Sequence, residues 1–140
     1  MKIAIIQAGW NSDITTPLAS DAQKFLTQKN VDVDVYKVAG AVELAVAAKN
    51  IIAYTNADAV ICIGAVILGE TDHYHYVAKM AAEGINKVGI ETGVPTIFGV
   101  LTCPNKKLAM DRVDGTHSRC GYEWAETAME MANLIAKLKK

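Results

Sequence analysis

Four short runs rich in Val, Ile and Ala punctuate the chain, at Lys2 to Ala8, Val31 to Val38, Ala59 to Val66 and Thr96 to Thr102. Each is almost continuously apolar, which suits parallel strands covered on both faces. Between them the period changes to helical spacing, with helix signals alongside: Thr16 as N-cap with Pro17 at the first helical position, then Ala41 to Tyr54, then Thr71 to about Lys87. After the fourth run come a short helical piece at Lys106 to Arg112, a polar turn around Asp114-Gly115-Thr116 and a last helix from about Gly121 to Leu138. Ala125, Ala128, Met129, Ala132, Ile135 and Ala136 give that last helix one apolar stripe. Lys137, Lys139 and Lys140 suit the negative end of its dipole.

Strands and helices in alternation, joined by right-handed crossovers, predict an α/β fold. The expected form is a three-layer α/β/α sandwich with a four-stranded parallel sheet, flavodoxin-like, spanning residues 1–140 as a single domain. Composition agrees: 51% of residues are hydrophobic and 21% charged, enough for one core and a polar surface. The net charge is −1 and the Lys and Arg residues are scattered, so no basic stripe is present for nucleic acid. The apolar run opening at Ile3 is broken by Gln7, Gly9 and Asn11, too early for a signal peptide or a membrane span. Cys62, Cys103 and Cys120 are odd in number and far apart, which fits neither a disulfide framework nor a metal knuckle. Reduced thiols and a cytoplasmic location are therefore expected.

Ligands of such sheets bind beyond the carboxyl ends of the strands. The chemically distinctive residues fall there: Gln7 to Asn11, Val38 to Glu43, Gly64 to His73, and Thr102 onward. Trp10, beside Asn11, offers a flat face that could stack on a heterocycle for roughly 1–3 kcal/mol, or it caps the edge of the core. Gly40-Ala41-Val42-Glu43 passes from strand to helix through a glycine, and Glu43 could accept from ligand hydroxyls or only complement the helix dipole. In Gly64-Ala65-Val66-Ile67-Leu68-Gly69-Glu70-Thr71-Asp72-His73 a glycine turn meets a helix start with Thr71 as N-cap, an arrangement able to hold a phosphate. His73 in the first turn lies at the positive dipole end, which disfavours imidazolium and suits a neutral base, against the plainer alternative of a surface histidine. His75, two residues on, points elsewhere, so no metal pair forms. Arg112 is shaped to clamp a phosphate, though alone it equally reads as a solvated arginine, and Phe98 within a strand reads as core.

Taken together and in order, these segments resemble the 6,7-dimethyl-8-ribityllumazine synthases over nearly the whole chain. The resemblance is carried by Gly64 to Val77, by Glu91-Thr92-Gly93-Val94-Pro95-Thr96-Ile97-Phe98-Gly99-Val100-Leu101-Thr102 and by Glu130-Met131-Ala132-Asn133-Leu134, with Trp10-Asn11, Ile14-Thr15, Gly40 to Glu43 and Arg112 in support. It implies condensation of 5-amino-6-(D-ribitylamino)uracil with 3,4-dihydroxy-2-butanone 4-phosphate, with no metal or organic cofactor. It also implies residue roles: Trp10 stacks on the pyrimidine, Glu43 with backbone around Ala41 and Val42 holds the ribityl chain, Gly69, Glu70 and Thr71 face the phosphate, and His73 transfers protons. Asn11, Gly40, Ala65, Val66 and Ile67 complete the expected substrate site. Phe98 and Arg112 would come from an adjacent subunit, making the active unit an oligomer, usually a pentamer.

This chain departs from the family pattern at several positions. Leu68 stands where an arginine is common, Ala39 and Ala45 where prolines are, Val42 where an aromatic is usual, and Cys120 where a lysine or histidine often approaches the phosphate. The sequence opens at its first strand, whereas many members carry an extension that adds a strand to a neighbour. The segment from Arg112 to Gly121 has the length found in shell-forming members, so pentamer, decamer and shell stay open. Two other functions are compatible with the fold: an archaeal-type riboflavin synthase, which dismutates lumazines, and a non-catalytic flavin or lumazine binder or shell protein.

Overall fold

The four apolar runs are the four strands of one parallel sheet. The computed structural model describes residues 1–140, with strands β1 (Lys2–Ala8), β2 (Asp32–Val38), β3 (Ala59–Ile67) and β4 (Thr96–Cys103). The helices are α1 (Ser12–Gln28), α2 (Leu44–Tyr54), α3 (His73–Thr92), α4 (Lys106–Met110) and α5 (Cys120–Leu138), with one 3₁₀ turn, Ala41–Glu43, ahead of α2. The strand order is β2-β1-β3-β4. The chain steps outward from β1 to β2, then crosses back to β3 on the other side of β1, so the direction of winding reverses between β1 and β3. Such a reversal leaves a crevice at the carboxyl ends of those two strands.

The same reversal sends the helices to opposite faces. On β3 the alternation of side chains puts Ala59, Ile61, Ile63 and Ala65 into a core with Ile14, Leu18, Ala22 and Leu26 of α1 and Ala125, Ala128 and Ala132 of α5. Val60, Cys62 and Val66 face the other way, against Leu44 and Ala48 of α2 and Ala81, Ile85 and Val88 of α3. Only the two central strands are covered as the runs predict. β2 lies at the edge, where Asp32, Asp34 and Lys37 alternate with valines and the strand is half exposed; charge on an edge discourages pairing with another chain. Lys2 of β1 reaches Asp34 at 2.8 Å across this edge.

Two helix boundaries differ from expectation. α1 does not begin at Thr16-Pro17 but at Ser12, with Asn11 as its cap, and Pro17 sits inside it. The early start is held by packing: Ile14, Thr15 and Leu18 are buried, and the Thr15 hydroxyl donates to the Ala8 carbonyl at 2.8 Å. α3 begins at His73 rather than Thr71 and runs past Lys87 to Thr92. Its end is set by Gly93, whose φ of 71° is left-handed and whose N–H donates to the Gly89 carbonyl.

α1 and α5 approach so closely that the contact admits no side chain at Gly121. A Cβ there would lie 2.5 Å from the Leu18 carbonyl oxygen and 2.8 Å from Asp21 Cβ. Asp21 also accepts a bidentate pair from Arg119, from Nη2 to Oδ1 at 2.9 Å and from Nε to Oδ2 at 3.2 Å, which pins the start of α5 to α1. Gly121→Ala is expected to cost about 1–3 kcal/mol, the usual penalty of overpacking, read as a lowered urea midpoint. An unchanged midpoint would mean that the helices part at no cost.

At the head of α1, Asp13 pairs with Lys106 of α4, and this cation holds the Asp13 carboxyl below its ordinary value of 3.8. A lowered carboxyl stabilises the fold above its unfolded-state value and loses that contribution as pH falls through the folded one. Lys106→Met is therefore expected to lower the melting temperature slightly at pH 6 and by progressively less as the pH falls below 3.8, as melts across that range will show. The three cysteines are free and buried. Burial pushes the Cys62 thiol up to about 12, which makes it a packing group rather than a nucleophile.

Candidate active site

A cavity of about 640 Å³ opens at the crevice between β1 and β3. Four chain segments build it: the β1–α1 loop, the turn after β2, the end of β3 and the first turn of α3. Each is fixed by the strand that delivers it. Gly9 and Trp10 donate their backbone N–H groups to the Ala39 carbonyl at 3.1 and 3.0 Å, so the first loop is tied to the end of β2. Asn11 adopts φ 58°, ψ 46°, a left-handed conformation that asparagine tolerates. There its side-chain amide donates to the Ala65 carbonyl at 2.9 Å. Asn11 thus braces β1 against β3 across the crevice, and its backbone carbonyl accepts from Ile14 and Thr15 to start α1.

Trp10 leaves this rigid loop with 73% of its surface exposed, and it lines the cavity rather than capping the core. Beside it, Gly40 leads into the 3₁₀ turn, and Ala41, Val42 and Glu43 all line the cavity. The first N–H groups of a helical turn have no acceptor within it and are free for a ligand. Ala65, Val66 and Ile67 form the floor at the end of β3, and Gly69, Thr71 and His73 the far wall. At Gly69 a Cβ would meet nothing within 4 Å, and its φ is not left-handed. Neither packing nor backbone conformation within the chain requires glycine there.

The cap of α3 is Asp72, without a side-chain cap bond, while the Thr71 hydroxyl accepts from the His73 N–H at a long 3.4 Å. His73 is the first residue of the helix. Tyr74 and Val77, absent from the expected site, also line the cavity. Val77 was signalled by the helix itself, since it lies four residues from His73 and three from Tyr74 on one face, whereas Tyr74, one residue from His73, left no such signal. His75 lies outside the lining and packs edge-on to the Tyr74 ring at 5.1 Å between centroids.

Three expected site residues are not among those that line the cavity: Glu70, Phe98 and Arg112. Phe98 lies on the outer strand β4, 40% exposed, and Arg112 lies in the turn after α4 with its carbonyl accepting from Cys120 N–H at 2.9 Å. As a result no lysine or arginine of the same chain faces the cavity.

Residues 1–136 match the family model described as 6,7-dimethyl-8-ribityllumazine synthase. A protein of that name from Thermococcus kodakarensis is 40% identical, with 100% of this chain and 90% of the relative covered. Two of the same name from strains of Coxiella burnetii are 37% and 38% identical, with 99% of this chain and 93% of each relative covered. The chain belongs to the lumazine synthase family.

Where the chain departs from the lumazine synthase pattern, the geometry assigns consequences. Val42 lines the cavity, where it presents a small branched side chain at the position the family usually gives to an aromatic. Leu68 is outside the lining, with its N–H donating to the Cys103 carbonyl at 3.0 Å, which anchors the loop before Gly69 to β4. Cys120 is buried at the start of α5, its thiol 3.4 Å from the Ser118 hydroxyl, and adds no charge near the cavity.

Proposed function

We propose that the chain condenses 5-amino-6-(D-ribitylamino)uracil with 3,4-dihydroxy-2-butanone 4-phosphate to give 6,7-dimethyl-8-ribityllumazine in riboflavin biosynthesis, a transferase reaction that releases phosphate and water. The observation that carries this reading is the convergence of Trp10, Glu43, Gly69, Thr71 and His73 on one cavity in a chain of this family. Imine formation and phosphate elimination require a flat binding face, an anion site and a proton shuttle held in register, and positioning makes them effective. Trp10 supplies the face, Glu43 with the Ala41 and Val42 amides binds the ribityl hydroxyls, Gly69 to Thr71 receives the phosphate, and His73 moves protons between substrate atoms.

We further propose that the working unit is a homo-oligomer, a pentamer, in which the neighbour's copies of Phe98 and Arg112 complete each cavity. Two features support this. The cavity has no cation of its own for a phosphate, and Phe98 and Arg112 lie on the outer strand β4 and in the turn after α4, outside their own chain's cavity. Exposed Tyr76, Met80 and Ile90 on α3 add apolar surface of the kind that oligomers bury. The expected mass of a pentamer of 15.0 kDa chains is about 75 kDa by native mass spectrometry. No helix is long and apolar enough to cross a membrane; free thiols and polar small-molecule substrates support a cytoplasmic location.

Mixing the two substrates with the protein tests the activity. Lumazine absorbance should rise together with released phosphate. Dismutation of supplied lumazine would indicate a riboflavin synthase instead, and lumazine binding without turnover a binding protein.

A further inference from the structure

Gly40 has an extended backbone, φ −149° and ψ −174°, open to any residue, so conformation does not select glycine there. Space does. A Cβ on Gly40 would lie 2.9 Å from Trp10 Cδ1, 3.6 Å from Trp10 Nε1 and 3.4 Å from Glu43 Oε1. Both indole atoms belong to the five-membered ring, so that edge of Trp10 rests in the notch left by the absent side chain, with the Glu43 carboxylate beside it. The backbone of Trp10 is fixed by its bond to Ala39 while its side chain is largely exposed. The Gly40 notch is therefore a wall that limits how far the ring can swing toward β2.

We propose that Gly40 is a positioning residue, whose missing side chain seats the Trp10 indole and sets its height over the bound heterocycle. The proposal rests on the stacking role given to Trp10 above. It assigns to Gly40 a role through another side chain, separate from any contact its own backbone makes with substrate. Because the displaced group is the ring of a side chain with 73% of its surface exposed, which can turn about its side-chain torsions, Gly40→Ala should leave the fold intact and move the ring. The cost then falls on the site rather than on stability, and it falls on one substrate.

The test is a double-mutant cycle. Gly40→Ala is expected to raise KM for the ribitylaminouracil roughly tenfold with a smaller change in kcat, and to leave KM for the butanone phosphate unchanged. In a Trp10→Phe background, which lacks the five-membered ring, the same alanine should cost less than about twofold. Equal penalties in both backgrounds would overturn the proposal, since Gly40 would then act through its own backbone. A second readout does not need turnover: with Trp124→Phe leaving Trp10 as the only tryptophan, Gly40→Ala should shift Trp10 emission while the melting temperature holds. Unshifted emission overturns the contact. If the unmodified protein makes no lumazine, the proposed activity fails, and the emission measurement still decides whether Gly40 seats the ring.

Discussion

Replacing His73 with Ala is expected to slow turnover at saturating substrates by roughly 10²–10⁴-fold, the range for loss of a general acid or base, with little change in ligand affinity. His73 is the first residue of α3 and stands at the cavity wall beside Tyr74 and Val77, one turn from the Gly69–Thr71 loop. It belongs to a helix anchored by buried Ala81, Ile85 and Val88, so truncating an exposed first-turn side chain removes little packing. A kcat loss with unaltered KM is the signature of an interaction made in the transition state. Steady-state kinetics decide the matter: an undiminished kcat would strip His73 of its proton-transfer role.

The central strands were legible because a buried parallel strand needs a nearly unbroken apolar run, and β1 and β3 have one. β2 carries the edge signal in its alternating Asp32, Asp34 and Lys37, which its valines obscured. The start of α1 was misplaced because Thr16-Pro17 imitates a helix opening, while the true opening depends on tertiary contacts of Ile14, Thr15 and Leu18. The cavity residues could be anticipated since topology puts every strand end on one side, and most of the expected residues line it. Contacts between loops were not legible. The seat of Trp10 on Gly40 and the brace from Asn11 to Ala65 join residues far apart in sequence, and neither leaves a spacing to read.

The absence of any lysine or arginine from the cavity lining leads to the second large effect, which depends on assembly rather than on one chain. A phosphate bound only by backbone amides and hydroxyls lacks the charge-assisted pair that would stabilise its departure. If Arg112 of a neighbour supplies that pair, Arg112→Ala should lower turnover by roughly 10²-fold or more even though the residue lies outside its own chain's cavity. Arg112→Ala and His73→Ala then damage opposite sides of one shared site. When the two variants are unfolded and reassembled together, one site in about four should combine a native His73 with a native neighbouring Arg112, because each side is drawn independently from an equal mixture. Activity should recover to about a quarter of the unmodified level in the co-assembled material and stay at parental levels when preformed oligomers are only mixed. Mass spectrometry verifies that the rings are mixed. Mixed rings as inactive as their parents would place Arg112 at its own subunit's site or in structure alone, and the shared-site model would fall.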